Sequence, residues 1–440
     1  MFLEKEGKLI YSYDGETVCI EAWGKDALRV RATKNRSFTG RDWALEAKDA
    51  HAGEVEIFED PSAKGGAFAN MYEGTDTSYG KITNGKLHAV IDSGSVITFY
   101  HEDGRVLLKE HFRRLRDEES MPLNIMGREY SNGVGDNFRI VARFVARKGE
   151  KIFGMGQYQQ HELDLKGCML ELAQRNSQVS VPFYLSSIGY GFLWNNPGVG
   201  QVMFANNGTE WVTESGKEID YLVIAGDTPA EIEENYMTLT GKPPMMPEYG
   251  MGFWQCKLRY WNQEQLLSVA RKYKELGVPL DVIVVDFFHW TKQGEFKFDP
   301  KYWPDVPGMC RELKEMGIQV VVSVWPTVDI YSENFEEMKE KGYLVRTEHG
   351  VPLTMLCGGN EVFFDATNPD ARTYVWEKIK KNYYDQGAKL FWLDVAEPEY
   401  SVYDFKNYRY QLGSVQEVGN IYPKYYLKAF YDGMTAEGDA

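Results

Sequence analysis

Residues 282–286 read Val-Ile-Val-Val-Asp, an unbroken apolar run that ends in a carboxylate. A strand covered on both faces carries apolar residues at every position, whereas a half-exposed strand alternates. The run therefore predicts a buried strand of a parallel sheet. Similar runs follow at 320–325 (VVVSVW) and 390–394 (LFWLD), and GMGFW at 250–254 precedes them.

Helical patterns separate these runs. Asn262 has the side chain of an N-cap, and Gln265 lies three residues later, which is the spacing of a capping box. Further helices are predicted near 306–316, 333–341, 368–387 and 424–437. Alternating strands and helices predict four parallel strands with right-handed crossovers, the first half of a (β/α)8 barrel. A short doubly wound sheet has the same order and is the alternative.

The residues before this region follow a different pattern. Short β-branched or aromatic segments, separated by Gly, Asn and Asp turns, predict strands at 17–23, 27–33, 86–92 and 95–101. No helix is expected in this part, which therefore reads as a β-sandwich. The proline cluster GKPPMMPE at 241–248 marks a boundary, so we predict a β-sandwich domain over 1–240 and a half-barrel over 241–440.

The composition of the chain argues against nucleic-acid binding, membrane spanning and secretion. The 440 residues include 49 basic and 65 acidic side chains, a formal charge of −16 that disfavours nucleic acid and favours a neutral small molecule. No apolar run is long enough to span a membrane, and the N-terminus lacks a signal-peptide pattern. Five dispersed cysteines, without metal-ligand spacing, indicate reduced thiols in a cytoplasmic protein. We expect neither a metal nor a cofactor, since no phosphate-binding loop is present either.

The candidate functional residues lie where the predicted parallel strands end, because ligands bind at that edge of α/β sheets. These ends carry two separated carboxylate positions and several aromatic rings, a combination that suits a sugar. The residues are Trp254, Gln255, Asp286, Phe287, Phe288, Trp325, Asp394 and Glu397. Each also has an ordinary alternative: capping a turn, packing in the core or pairing with a base.

The segment FWLDVAEPEY (391–400) resembles the nucleophile motif of glycoside hydrolase family 31, in the branch where α-xylosidases are prominent. Other segments resemble the same family in the expected order: GFWQCKLRYWNQEQLL (252–267), DVIVVDFFHW (281–290), EFKFDPKYWPD (295–305), SVWPTVDIYSENF (323–335) and FFDATNPDAR (363–372). The resemblance covers residues 150–440 clearly and 1–150 weakly.

This resemblance implies a role for each matched residue. Asp394 corresponds to the nucleophile that forms a glycosyl ester, so the reaction would retain the α configuration. Asp286 corresponds to the acid that binds sugar hydroxyls, and Glu397 to a glutamate that supports the nucleophile. Phe288, Trp325 and Trp392 correspond to the walls of the sugar pocket.

The resemblance favours an α-xylosidase ahead of an α-glucosidase, acting on α-linked oligosaccharides. It also implies that the acid/base aspartate lies on a later strand, after an RSxxGxQR-like segment that these 440 residues lack. We therefore expect a C-terminally truncated chain with at most weak activity, whose full-length form can be a homo-oligomer. A protein complete at residue 440 would instead be a non-catalytic sugar-binding protein.

Overall fold

The computed structural model describes residues 1–46, 49–59, 78–115, 123–350, 360–400 and 405–439. The chain divides into two compact units. The first comprises Met1–Ala173 and Ser177–Pro243, and the second comprises Gln174–Asn176 and Pro244–Ala440. Within the described residues, no helix combines the length and the apolar character that crossing a membrane requires.

The first unit is built almost entirely of strands. They are β1 (Phe2–Lys5), β2 (Lys8–Tyr13), β3 (Glu16–Trp23), β4 (Ala27–Thr33), β5 (Ala50–His51), β6 (Glu54–Glu59), β7 (Ser78–Asn84), β8 (Leu87–Ile91), β9 (Ile97–His101), β10 (Val106–Lys109), β11 (Arg113–Leu115), β12 (Leu123–Ile125), β13 (Arg128–Asn132), β14 (Phe138–Phe144), β15 (Ile152–Gln157), β16 (Met169–Leu172), β17 (Val179–Ser186), β18 (Tyr190–Trp194), β19 (Gly200–Ala205), β20 (Gly208–Gly216) and β21 (Ile219–Ala225).

These strands form antiparallel sheets around a shared apolar core. The largest sheet runs β1-β2-β3-β4-β21-β18-β17-β15 with β5 on β3; the others run β13-β14-β20-β19-β16, β10-β9-β8-β7-β6 and β11-β12. Aromatic rings fill the core: Trp211 stacks on Phe192 at 5.1 Å and on Trp194 at 5.6 Å. The predicted sheet-rich N-terminal part is confirmed.

One helix, α1 (Pro229–Thr240), contradicts the expectation that this part contains none. The Thr228 side chain accepts a hydrogen bond from the Glu231 amide, and Pro229 occupies the first turn. Ile232 and Leu239 pack into an apolar cluster on the sheet. The helix buries few apolar residues, so its periodicity is weak, and the Thr-Pro start was the signal that could have revealed it.

The second unit alternates strands and helices. Its elements are β22 (Trp254–Gln255), α2 (Gln263–Glu275), β23 (Val282–Val285), α3 (Val306–Glu315), β24 (Gln319–Val324), β25 (Thr327–Asp329), α4 (Phe335–Glu340), β26 (Arg346–Thr347), β27 (Glu361–Phe363), α5 (Pro369–Asn382), β28 (Leu390–Leu393), β29 (Tyr408–Arg409), α6 (Val415–Val418) and α7 (Tyr422–Ala436). Short 3-10 helices lie at Glu248–Met251, Tyr384–Gln386 and Gly419–Ile421.

Four of these strands form a parallel sheet in the order β22-β23-β24-β28. This is the predicted half of a barrel, and the sheet does not close within the described residues. The first strand is shorter and later than predicted, because a 3-10 helix occupies Glu248–Met251. Gly250 lies within that turn and Gly252 directly follows it, and glycine weakens a strand. Asn262 caps α2 as expected, accepting from the Gln265 amide at 2.9 Å.

Candidate active site

Three neighbouring strands deliver the candidate residues to one edge of the sheet. Asp286 follows β23, Trp325 follows β24 and Asp394 follows β28. The Asp394 amide donates to the Val324 carbonyl at 3.1 Å, which continues the β24–β28 pairing by one residue. The structure therefore brings Trp325 and Asp394 side by side, as predicted from their positions at the strand ends.

Asp394 is half-buried and interacts electrostatically with Asp286. Burial raises the pKa of the Asp394 carboxyl, and the negative charge of Asp286 raises it further. The Val395 amide and the Trp325 indole oppose this shift by favouring the ionised carboxylate. Trp325 Nε1 makes no hydrogen bond of full geometry to a described residue. Of the four influences on the pKa of Asp394, that of the Trp325 indole is the weakest.

Asp286 is nearly buried and held from three directions. Its Oδ1 accepts from the Phe287 amide at 2.8 Å, and its Oδ2 accepts from the Cys256 thiol at 3.5 Å. His289 Nδ1 lies 3.0 Å from the Asp286 carbonyl, while His289 Nε2 lies 2.9 Å from the Tyr383 hydroxyl. Burial lowers the pKa of His289 to about 4, so the ring is neutral: Nδ1 donates to the carbonyl and Nε2 accepts from the hydroxyl.

Aromatic rings stand beside these carboxylates. Phe287 stacks on Trp325 at 5.1 Å and contacts Phe288 at 4.4 Å. Phe288 is 52% exposed and has a φ of +65°, a conformation unusual for a bulky residue. Trp392 is also exposed and precedes Asp394 by two residues on β28, so the two share a face of the strand.

Glu397 lies half-buried in the loop after β28, close enough to Asp394 for the charge of Asp394 to affect its pKa. Burial raises the pKa of the Glu397 carboxyl, and the charges of Glu399 and Asp394 add to the effect. Its Oε2 has no hydrogen-bond partner among the described residues. Burial and neighbouring negative charge therefore disfavour the ionised form of Glu397, as they do that of Asp394.

Cys256, His289, Arg259 and Trp261 lie at this edge but were missed from the sequence. Cys256 and Arg259 follow β22 closely, so extending the strand-end rule by a few residues would have included them. The sequence around His289 does not indicate its role, because that role depends on a hydrogen bond with Tyr383 at the end of α5. Among the described residues, no group of three or more His, Cys, Asp or Glu side chains could hold a metal ion.

Comparison with known proteins agrees with this geometry. Residues 243–439 match the model of the glycosyl hydrolases family 31 TIM-barrel domain. The chain is 45% identical to an uncharacterized family 31 glucosidase, ORF2, of Pseudescherichia vulneris, over 99% of the chain and 81% of that protein. The chain belongs to glycoside hydrolase family 31.

Other family 31 relatives are named for xylose chemistry. The chain is 30% identical to α-xylosidase A of Aspergillus niger, over 97% of the chain and 61% of that protein. A family 31 α-xylosidase from a soil metagenome, crystallised with xylose, superposes with a TM-score of 0.91 at 50% identity. That match covers 100% of the chain and 64% of the crystallised protein, so the chain spans less than two thirds of either α-xylosidase.

Proposed function

We propose that the chain provides the nucleophile and the sugar-binding carboxylate of a retaining α-glycosidase that acts on α-linked xylosides. The observation that carries this proposal is the position of Asp394 and Asp286 at the carboxyl ends of parallel strands, where the charge of Asp286 raises the pKa of Asp394. Membership of family 31 and relatives named α-xylosidases support it.

In this proposal Asp394 attacks the anomeric carbon as the bond to the leaving group breaks, and a glycosyl ester forms on its carboxylate. Asp286 binds the sugar hydroxyls, since its Oδ1 and Oδ2 are fixed by Phe287 and Cys256 and keep free lone pairs. Glu397 supports the position of Asp394 from the loop that follows β28. Phe288, Trp325 and Trp392 form the walls.

Xylose lacks the hydroxymethyl group that glucose carries at C5, so a wall that crowds this group favours xylose. Phe288 is suited to that role because its exposed ring follows Asp286 by two residues. An α-glucosidase is the second candidate, favoured by the name of the relative that is 45% identical. Exclusion by shape alone is worth about 1–3 kcal/mol, so mixed activity is compatible with either.

The test traps the ester. An α-xylosyl fluoride with a second fluorine at C5 needs no acid to release fluoride, so it reports on Asp394 without an acid/base residue. We expect one xylosyl group per chain, mapped by peptide mass spectrometry to Asp394 and absent in Asp394→Asn. Asp432→Asn, which changes an exposed carboxylate on α7, is the matched control and should label normally.

Two outcomes would overturn the proposal. An ester on another carboxylate would remove Asp394 from its role, and no ester with either sugar fluoride would remove the glycosidase function. Faster labelling by the α-glucosyl analogue than by the α-xylosyl one would leave the mechanism in place and reverse the order of the two substrates.

A further inference from the structure

A histidine side chain spans the turn that carries Asp286 and Phe288. His289 Nδ1 lies 3.0 Å from the Asp286 carbonyl, so the ring closes the segment in which Phe288 has a φ of +65°. A residue with a Cβ atom is strained in this left-handed conformation, and such a conformation persists where the surrounding structure fixes it. The contact from His289 is therefore a constraint on the shape of the turn.

The other nitrogen of the same ring is bound by a different element. His289 Nε2 lies 2.9 Å from the hydroxyl of Tyr383, which ends α5. A carbonyl only accepts hydrogen bonds, so Nδ1 carries the proton. Burial lowers the pKa of His289 to about 4 and raises the pKa of Tyr383 well above its ordinary range. The ring is therefore neutral and the hydroxyl protonated, so Tyr383 donates to Nε2 and selects the Nδ1–H tautomer.

Packing alone does not account for this arrangement. His289 is 2% exposed, and its ring centre lies 4.8 Å from that of Phe298. A leucine or phenylalanine would fill such a site without needing polar partners, which a buried imidazole requires. Here one ring nitrogen faces an acceptor and the other faces a donor, so both the orientation and the tautomer of the ring are fixed. The ring thus ties the turn to the end of α5.

We propose that His289 is a positioning residue for the glycosidase reaction and that Tyr383 keeps it in the required tautomer. The inference rests on the proposed function and deepens it. Since His289 is buried, it acts through the backbone of the turn, which places the Asp286 carboxylate and the Phe288 ring. Asp394 follows a different strand, so loss of the His289 contact weakens sugar binding more than it slows the attack.

The first test determines the tautomer in the wild-type chain by NMR. In a long-range proton–nitrogen correlation spectrum, the ring of His289 should show a protonated Nδ1 and an unprotonated Nε2. Tyr383→Phe removes the donor to Nε2 and should populate the Nε2–H tautomer. Tyr384→Phe is the matched control, since this hydroxyl contacts Asp439 and Lys389 instead, and it should leave the tautomer unchanged.

The second test measures how the rate of Asp394 labelling depends on the concentration of the fluorinated α-xylosyl fluoride. Asparagine can place an amide N–H at the position of Nδ1, whereas glutamine places its amide at the position of Nε2. We expect His289→Gln to raise the half-saturating concentration about tenfold and to change the limiting rate by less than about twofold. His289→Asn keeps the donor to Asp286 and should remain near the wild-type values. Tyr383→Phe should raise the half-saturating concentration less than His289→Gln does.

The outcomes separate the two proposals. An Nε2–H tautomer in the wild-type chain, or equal half-saturating concentrations for His289→Asn and His289→Gln, would overturn the positioning role while the proposed function stands. The same loss in Tyr384→Phe as in Tyr383→Phe would also overturn it. No labelling of the wild-type chain would overturn the proposed function and the positioning role together. The tautomer is read without any substitution, so this part of the test does not depend on a variant that folds.

Discussion

The left-handed backbone at Phe288 predicts which of two variants at this position is the more stable. Phe288→Ala and Phe288→Gly both remove the ring, so the two variants differ only in the Cβ methyl group that alanine keeps. At a φ of +65°, a side chain with a Cβ atom costs about 1–2 kcal/mol. The greater freedom of glycine in the unfolded chain costs about 0.4–1 kcal/mol. We therefore expect Phe288→Gly to be more stable than Phe288→Ala, by about 1 kcal/mol.

Phe287 is the matched control, since it is the same residue type one position earlier and does not have a positive φ. There only the unfolded-state effect remains, so Phe287→Ala should be more stable than Phe287→Gly by about 0.4–1 kcal/mol. Native-state hydrogen exchange of amides in β23 measures the free energy of opening in the second unit for all four variants. The order of Ala and Gly should reverse between the two positions. The same order at both would refute the strain at Phe288.

The function of the ring is tested with the same variants. If the Phe288 ring crowds the hydroxymethyl group of glucose, both Phe288 variants lose the same discrimination between α-xylosyl and α-glucosyl fluorides, about tenfold or more. Their labelling ratios should agree, since neither retains the ring. A ratio that differs between Ala and Gly would place the discrimination in the loop conformation instead.

Two further predictions concern buried charge. Because Asp394 must be ionised to react, its labelling should fail as the pH falls through its raised pKa; Asp286→Asn should move this limit to lower pH, and Trp325→Phe should move it to higher pH. In the first unit, Asp220→Asn removes the carboxylate that buried Arg29 contacts at 2.9 and 2.7 Å, with an expected loss of about 3–5 kcal/mol in urea unfolding. Asp136→Asn, at the exposed Lys217 pair, should cost less than about 1 kcal/mol, and equal losses would contradict this account.

The parallel strands could be predicted because a strand covered on both faces appears in the sequence as an unbroken run of apolar residues. In VIVVD at 282–286, four consecutive apolar residues indicate burial on both faces. The residue after such a run lies at the carboxyl end of the strand, which is the ligand-binding edge of a parallel sheet. The short first strand could not be placed in this way. Trp254 and Gln255 make only two residues of pairing, and the turn before them is set by Gly252, where an added Cβ would lie 2.2 Å from the Asp281 carboxylate.

In the candidate site, too, some features could be predicted from local sequence and others could not. The positions of Asp286 and Asp394 follow from local sequence, but their chemistry depends on partners that only the fold selects. The thiol of Cys256, just after β22, donates to Asp286, and the charge of Asp286 raises the pKa of Asp394. Burial and Asp286 together raise the pKa of Cys256 to about 11, which keeps this thiol a protonated donor. Since a thiol is a weak donor, the Asp286 oxygen keeps most of its capacity to accept from a sugar hydroxyl.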